Sequence, residues 1–160
     1  MKDAQCAIAL GSNLGDSLNI LETAIEKLSQ TSGVTLNTYS RWYRTLPIGP
    51  PQPDYFNGCA LLTVQLTPQE LLIILLEIEQ QFGRVRGKRW GPRILDLDIL
   101  LYDNLVLDTP DLKIPHPHMK ERAFVLFPLA EIAPNWIEPI SQKNILQLLQ
   151  NVDCSGIMNN

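Results

Sequence analysis

Residues 34–66, VTLNTYSRWYRTLPIGPPQPDYFNGCALLTVQL, decide the fold. Val34 to Thr45 and Phe56 to Leu66 are rich in β-branched and aromatic residues and read as strands. Between them, Leu46 to Asp54 holds four prolines and a glycine, which makes it loop and not helix. Strands joined without a crossover helix pair antiparallel. That disfavours a doubly wound parallel sheet. Upstream, Ala4 to Leu10 is a compact apolar run that predicts a buried strand, stopped by Gly11-Ser12-Asn13. Asp16 or Ser17 can cap a helix running to about Gln30, with Leu18, Leu21, Ile25 and Leu28 at helical spacing. Downstream, Thr67 as cap and Pro68 in the first turn open a second helix carrying Leu71, Leu72, Leu75, Ile78 and Phe82. Gly83 to Pro92 is loop, and Ile94 to Tyr102 is a strand. Asp103-Asn104 followed by Val106-Leu107 predicts a hairpin, Arg122 to Ile132 a helix, and Ile145 to Gln150 a short helix in the tail. The order strand, helix, strand, strand, helix, strand predicts an α/β (α+β) fold: a ferredoxin-like βαββαβ core with a mostly antiparallel sheet, helices packed on it, and a C-terminal extension. One face of such a sheet is expected to be free for a site.

The 160 residues are expected to form a single domain. Apolar residues make up 45%, a globular composition that excludes general disorder. With 17 acidic and 13 basic residues the net charge is -4, which argues against nucleic acid or an anionic membrane as partner. Cys6, Cys59 and Cys154 are odd in number, far apart and outside any C-x-x-C spacing, so three reduced thiols and a cytoplasmic location are expected. Neither a signal peptide nor a membrane-spanning run is expected.

The chemistry concentrates around Asp96-Leu97-Asp98. Alternate side chains of a strand share a face, so the two carboxylates point the same way, roughly 7 Å apart at Cα. Leu95, Leu97, Ile99 and Leu101 then face the core. Two like charges on one patch call for a cation, and Mg²⁺ is the natural one, because substrate phosphates and water complete its octahedron. Paired arginines would serve an arbitrary D-x-D equally well. Directly before this strand lies Gly83-Arg84-Val85-Arg86-Gly87-Lys88-Arg89-Trp90-Gly91-Pro92-Arg93. Guanidinium forks match phosphate oxygens, so a basic loop beside two carboxylates suits a metal with a polyphosphate. His116 lies between prolines in a stiff segment suited to a pre-positioned polar contact. Asn57 has the donors and acceptors to read a heterocycle edge, and Tyr55 and Phe124 could stack on its faces. There is no G-x-x-x-x-G-K-[ST] and no G-x-G-x-x-G. A non-catalytic ferredoxin-like module for RNA or a small effector is the competing class. Its RNA form wants an RNP-type aromatic run, which is absent.

Taken together, Leu10-Gly11-Ser12-Asn13-Leu14-Gly15, Tyr43-Arg44-Thr45, Asp54-Tyr55-Phe56-Asn57, Arg89-Trp90-Gly91-Pro92-Arg93-Ile94-Leu95-Asp96-Leu97-Asp98, Pro115-His116-Pro117 and Arg122-Ala123-Phe124 resemble 6-hydroxymethyl-7,8-dihydropterin pyrophosphokinases of folate biosynthesis. The resemblance runs from about Ala7 to Pro134. It implies transfer of diphosphate from ATP, as co-substrate, to the pterin hydroxymethyl group, with release of AMP. It implies two Mg²⁺ ions on Asp96 and Asp98, with Arg84 and Arg93 also catalytic. It implies a pterin site of Thr45, Ile48, Tyr55, Asn57, Trp90 and Phe124. The ATP side would comprise Glu79, Arg84, Arg86, Arg89, Arg93, Ile99, His116 and Arg122. The partners implied are these small molecules, and a monomer is expected. The loops Pro47 to Pro53 and Arg86 to Arg89 are each one residue shorter than in some members, and Leu76 stands where some carry a polar residue.

Overall fold

A computed structural model describes residues 3–45, 51, 53–83 and 94–159. The elements are β1 (Ala4–Ser12), α1 (Ser17–Ser29), β2 (Val34–Tyr39), β3 (Tyr43–Thr45), β4 (Tyr55–Val64), α2 (Pro68–Gln81), β5 (Asp96–Tyr102), β6 (Leu107–Asp108), β7 (Lys113–Ile114), a 3-10 turn (Met119–Glu121), α3 (Ala123–Ile132), α4 (Ile145–Leu149) and β8 (Ile157–Asn159). The main sheet has the order β5-β1-β4-β3-β8, with β2 also on β4, and its strand pairs are antiparallel. With β2 and β3 counted as one interrupted strand, this is the expected ferredoxin-like order.

Local chemistry explains the helix starts. Asp16 caps α1 by accepting from the Asn19 N–H. Thr67 and Glu70 form a reciprocal capping box at α2, with Pro68 in the first turn. On one sheet face, α1 and α2 bury Leu21, Leu28, Leu71 and Leu75 against Ile8, Leu10, Leu62 and Leu97. On the other, α3 and α4 bury Leu126, Leu129, Ile145 and Leu148 against Ala7, Cys59 and Leu101. The sequence led us to expect this second face to be free for a site; α3 and α4 instead cover part of it. The apolar residues of α3 need a surface, and the sheet supplies it.

Three further expectations are corrected. The single strand expected over Val34 to Thr45 breaks at 40–42. Tyr39 lies opposite Ala60 and Tyr43 opposite Asn57, so β2 and β3 carry one more residue than β4 across this interval. Ser40 bridges the break: its N–H donates to the Cys59 carbonyl at 2.8 Å, and its Oγ accepts from the Cys59 N–H at 2.9 Å. The hairpin expected after β5 does not form on that strand, because β6 pairs with β7 instead. Leu101 does not share the face of Leu97 and Ile99. A register shift opposite Ala7 and Ile8 turns it into the α3 core. Cys6, Cys59 and Cys154 are free thiols, as expected. No helix among the described residues is long and apolar enough to cross a membrane.

Gly58 lies beneath the break. A Cβ there would sit 2.5 Å from Trp42 Cε3 and 2.9 Å from Ser40 Oγ, while the Trp42 indole N–H donates to Glu22 at 2.7 Å. Gly58→Ala is therefore expected to destabilise the fold by about 1–3 kcal/mol through overpacking. Chemical denaturation checks this, and a change within error would show that Trp42 moves freely.

Candidate active site

The register builds the site. Gly11 on β1 lies opposite Asp96 on β5 and opposite Asn57 on β4. Tyr43 on β3 continues the row beyond Asn57. Cα partners share a sheet face, so Asp96, Gly11 and Asn57 point the same way. Two strand spacings, about 10 Å, separate the first from the last. One step along, Asp98, Ala9 and Cys59 form a parallel row on that face. Asp96 is half-buried and Asp98 exposed. Between the carboxylates and Asn57, β1 presents only Ala9 and Gly11, the two smallest residue types. Gly11 is required there, because a Cβ would meet Asn57 Oδ1 at 2.8 Å. Asn57 Nδ2 donates to Thr45 Oγ1 at 3.3 Å. Tyr55 opens β4 on the face of Asn57 and is half-buried.

α3 supplies the opposite wall. Phe124 is half-buried in its first turn and packs against the second core, with the Arg122 guanidinium 5.6 Å from its ring centre.

The open edge of β5 is occupied by two of the expected site residues. Glu79 on α2 is 2% exposed, and its carboxylate accepts from the Leu97 N–H at 2.7 Å, between the two aspartates. The His116 N–H donates to the Leu100 carbonyl at 3.0 Å. His116 Nδ1 accepts from the His118 N–H at 3.1 Å, so the neutral ring carries its proton on Nε2. Burial first, then the neighbouring Arg122 and His118, lowers its pKa from 6.5 to about 4. It is therefore a neutral donor near pH 7 and not a cation. Ile99 is 4% exposed with its side chain in the α1–α2 core, so a contact from it to a ligand would come through its backbone.

Ile48, Arg84, Arg86, Arg89, Trp90 and Arg93 lie outside the described residues. Among the described residues no group of three or more His, Cys, Asp or Glu gathers as a metal cluster. The donors the described residues could offer a cation are the carboxylates of Asp96 and Asp98. They fit Mg²⁺, which needs only one or two carboxylates when phosphates and water supply the other ligands.

The sequence reading passed over the ties at the foot of the proline-rich loop. Asn13, which is buried, donates from Nδ2 to the Pro53 carbonyl at 3.1 Å. Arg44 Nε lies 3.7 Å from Asp54 Oδ2. The sequence marks Gly11-Ser12-Asn13 as a tight strand-to-helix turn, and the polar Asn13 between apolar strand and helix is the signal that something is held there.

Comparison with known proteins gives a consistent picture. The family model for 7,8-dihydro-6-hydroxymethylpterin-pyrophosphokinase matches residues 7–134. A 2-amino-4-hydroxy-6-hydroxymethyldihydropteridine pyrophosphokinase of Synechocystis sp. is 51% identical over 150 residues, covering 94% of this chain and 77% of its own. Its namesake from Pseudomonas aeruginosa is 47% identical, covering 94% of this chain and 93% of its own. Among solved structures, an HPPK-DHPS in complex with substrates superposes with a TM-score of 0.73 at 14% identity over 93% of this chain. A Plasmodium falciparum HPPK-DHPS triple mutant gives 0.74 at 15% identity over 93% of this chain. These two likenesses bear on the fold alone, and this chain spans 43% and 41% of the solved chains.

The His116 geometry has a consequence for pH. Its folded pKa lies below 6.5, so between about 4 and 6.5 the unfolded chain binds a proton that the folded chain refuses. This group's contribution to stability is complete above that window and is lost as pH falls through it. NMR titration of the His116 ring is expected to give a midpoint near 4. The loss of stability between about pH 7 and about pH 5 is expected to be smaller in His116→Gln. A midpoint at the ordinary histidine value would contradict the buried neutral donor.

Proposed function

We infer, from the premise that this chain belongs to the 7,8-dihydro-6-hydroxymethylpterin-pyrophosphokinase family, how its side chains move diphosphate from ATP to the hydroxymethyl group of 6-hydroxymethyl-7,8-dihydropterin. The observation that supports this reading is the row Asp96–Gly11–Asn57 with Asp98 in the next row, which brings two carboxylates and an amide side chain to one face with only Ala9 and Gly11 between them. Asp96 and Asp98 hold Mg²⁺, two ions in our reading. When bound, the metal neutralises charge on the phosphates and orients them.

The chain's own groups do the rest. Asn57, held by Thr45, reads the pterin edge. Tyr55 and Phe124 stack on the two pterin faces. The backbone near Thr45 and Ile48 completes the pterin end, and Trp90 helps close it. At the phosphate end, Nε2–H of His116 donates to a phosphate oxygen without adding charge, while Arg122 adds charge. Arg84, Arg86, Arg89 and Arg93 lie in the basic segment that precedes β5 in sequence and supply guanidinium forks. The hydroxymethyl oxygen attacks the β-phosphorus in line, its bond to phosphorus forms as the bond to the AMP oxygen breaks, AMP leaves, and the hydroxyl proton passes to water or to a phosphate oxygen. A loose transition state places little demand on an early general base, so positioning and charge neutralisation suffice. Glu79 acts from beneath, through the backbone of β5. We also read residues 1–160 as one pyrophosphokinase domain, a monomer working in the cytoplasm.

The test is AMP release with Mg²⁺, ATP and 6-hydroxymethyl-7,8-dihydropterin. Asp96→Asn and Asp98→Asn are each expected to lower turnover about a hundredfold or more while the fold is kept, as when a preorganised electrostatic contact is removed. Near-normal turnover at saturating Mg²⁺ would rule out the carboxylate pair as the metal site. In the pterin pocket, Tyr55→Ala and Phe124→Ala should each weaken pterin binding by about 1–3 kcal/mol. Calorimetry should find binding of a non-hydrolysable ATP analogue nearly unchanged, and equal losses for both ligands would count against the stacking.

A further inference from the structure

Strand β3 is three residues long, yet it carries Thr45, the partner of Asn57. A strand this short at a sheet edge has few hydrogen bonds of its own to hold its register. Here it is not left at the edge. β8 pairs with it antiparallel, Tyr43 opposite Asn159, Arg44 opposite Met158 and Thr45 opposite Ile157. The pairing covers all three residues of β3, which β4 holds from the other side.

β8 is anchored independently of β3. It follows α4, whose Ile145 and Leu148 are buried in the second core. Between α4 and β8 the Asp153 carboxylate accepts from the Ser155 N–H at 2.9 Å, and the Ile157 N–H donates to the Cys154 carbonyl at 3.1 Å. These two bonds shape the turn that leads into β8. Arg44 then links neighbouring strands: its guanidinium donates to Met158 Sδ at 3.6 Å and lies 3.7 Å from the Asp54 carboxylate. Asp54 immediately precedes Tyr55, so one side chain touches both the strap and the entry to β4. As an exposed ion pair, Arg44–Asp54 adds little energy. Its value is positional.

We propose that β8 is a positioning strap that holds β3 in register and so sets Thr45, Asn57 and the pterin end of the site, a role that rests on the functional reading above. The phosphate end stands on β5 at the opposite side of the sheet, with β1 and β4 between. Loosening β3 therefore acts on one substrate and spares the other. If β3 without its strap holds the binding register about a tenth of the time, the apparent dissociation constant for pterin rises about tenfold.

The experiment compares the full chain with Met158→Pro, which removes one strand N–H and fits a ladder poorly, and with a chain ending at Ser155. Calorimetry measures Mg²⁺ with a non-hydrolysable ATP analogue, then 6-hydroxymethyl-7,8-dihydropterin on that complex. Amide exchange at Thr45 and the melting temperature are read alongside. The expected result is about a tenfold loss of pterin affinity, nucleotide affinity within about twofold, and faster exchange at Thr45. Should the shortened chain fail to fold, Met158→Pro decides alone. Unchanged pterin affinity with Thr45 exchange accelerated overturns the proposal. So does a parallel loss for both ligands with a fall in melting temperature, which would make β8 an ordinary edge cover. If the unaltered chain binds the nucleotide but not the pterin, the functional reading fails and the strap's role with it, whereas normal binding by the unaltered chain isolates the strap as the point under test.

Discussion

The structure depends on the two-sided pairing of β1. This strand is hydrogen-bonded to β4 on one side and to β5 on the other, and it fixes which residues of those strands share a row. A slip of one residue on either side would turn every side chain of the slipped strand to the opposite face. Asp96 and Asp98 would then point into the α1–α2 core, and Leu97 would face the site. Register is held against that slip by burial. Ile8 and Leu10 are fully buried against the helices, each worth about 1.5–3 kcal/mol when buried. The carboxylates are thus placed by apolar residues on the opposite, helix-covered face of the sheet.

The same strand meets opposite demands on its two faces. Toward α1 and α2 it presents Ala4, Cys6, Ile8 and Leu10, which fill a core. Toward α3 and the site it presents Ala7, Ala9 and Gly11, which become small where the site begins. A larger residue at position 11 would meet Asn57, and one at position 9 would occupy the space beside Asp98. Packing and access are reconciled by the alternation of a single strand.

Much of this was legible in the sequence, because it is local. The D-x-D spacing fixes a shared face once a strand is granted, and the caps at Asp16 and Thr67 are chemistry within a few residues. The proline-rich loop rightly pointed to antiparallel pairing. What escaped was non-local. Ser40 breaks its strand by bonding to Cys59, nineteen residues away. The register shift that turns Leu101 toward α3 depends on how β5 meets Ala7 and Ile8, not on β5 itself. β8 has no alternation to announce it and is defined only by the partner it finds in β3. Asn13 could be singled out as polar in an apolar setting, but that it holds Pro53 requires the folded chain.

The placement of the two proposed substrate ends follows from how a sheet finishes its edges. Strand edges expose backbone groups that invite unwanted pairing, and proteins cover them. At β5 the cover comes from Glu79, which takes the Leu97 N–H, and from His116, which donates to the Leu100 carbonyl. A buried carboxylate is costly unless hydrogen-bonded, and this one receives a backbone donor between the two aspartates. At the other side β8 covers β3. The groups that satisfy the edge at β5 are the ones that steady the carboxylate strand, and the strand that satisfies the edge at β3 steadies Thr45. In this reading edge protection and the proposed substrate positioning are met by the same bonds, so a change that loosens either edge disturbs the fold's exposed backbone and one end of the proposed site together.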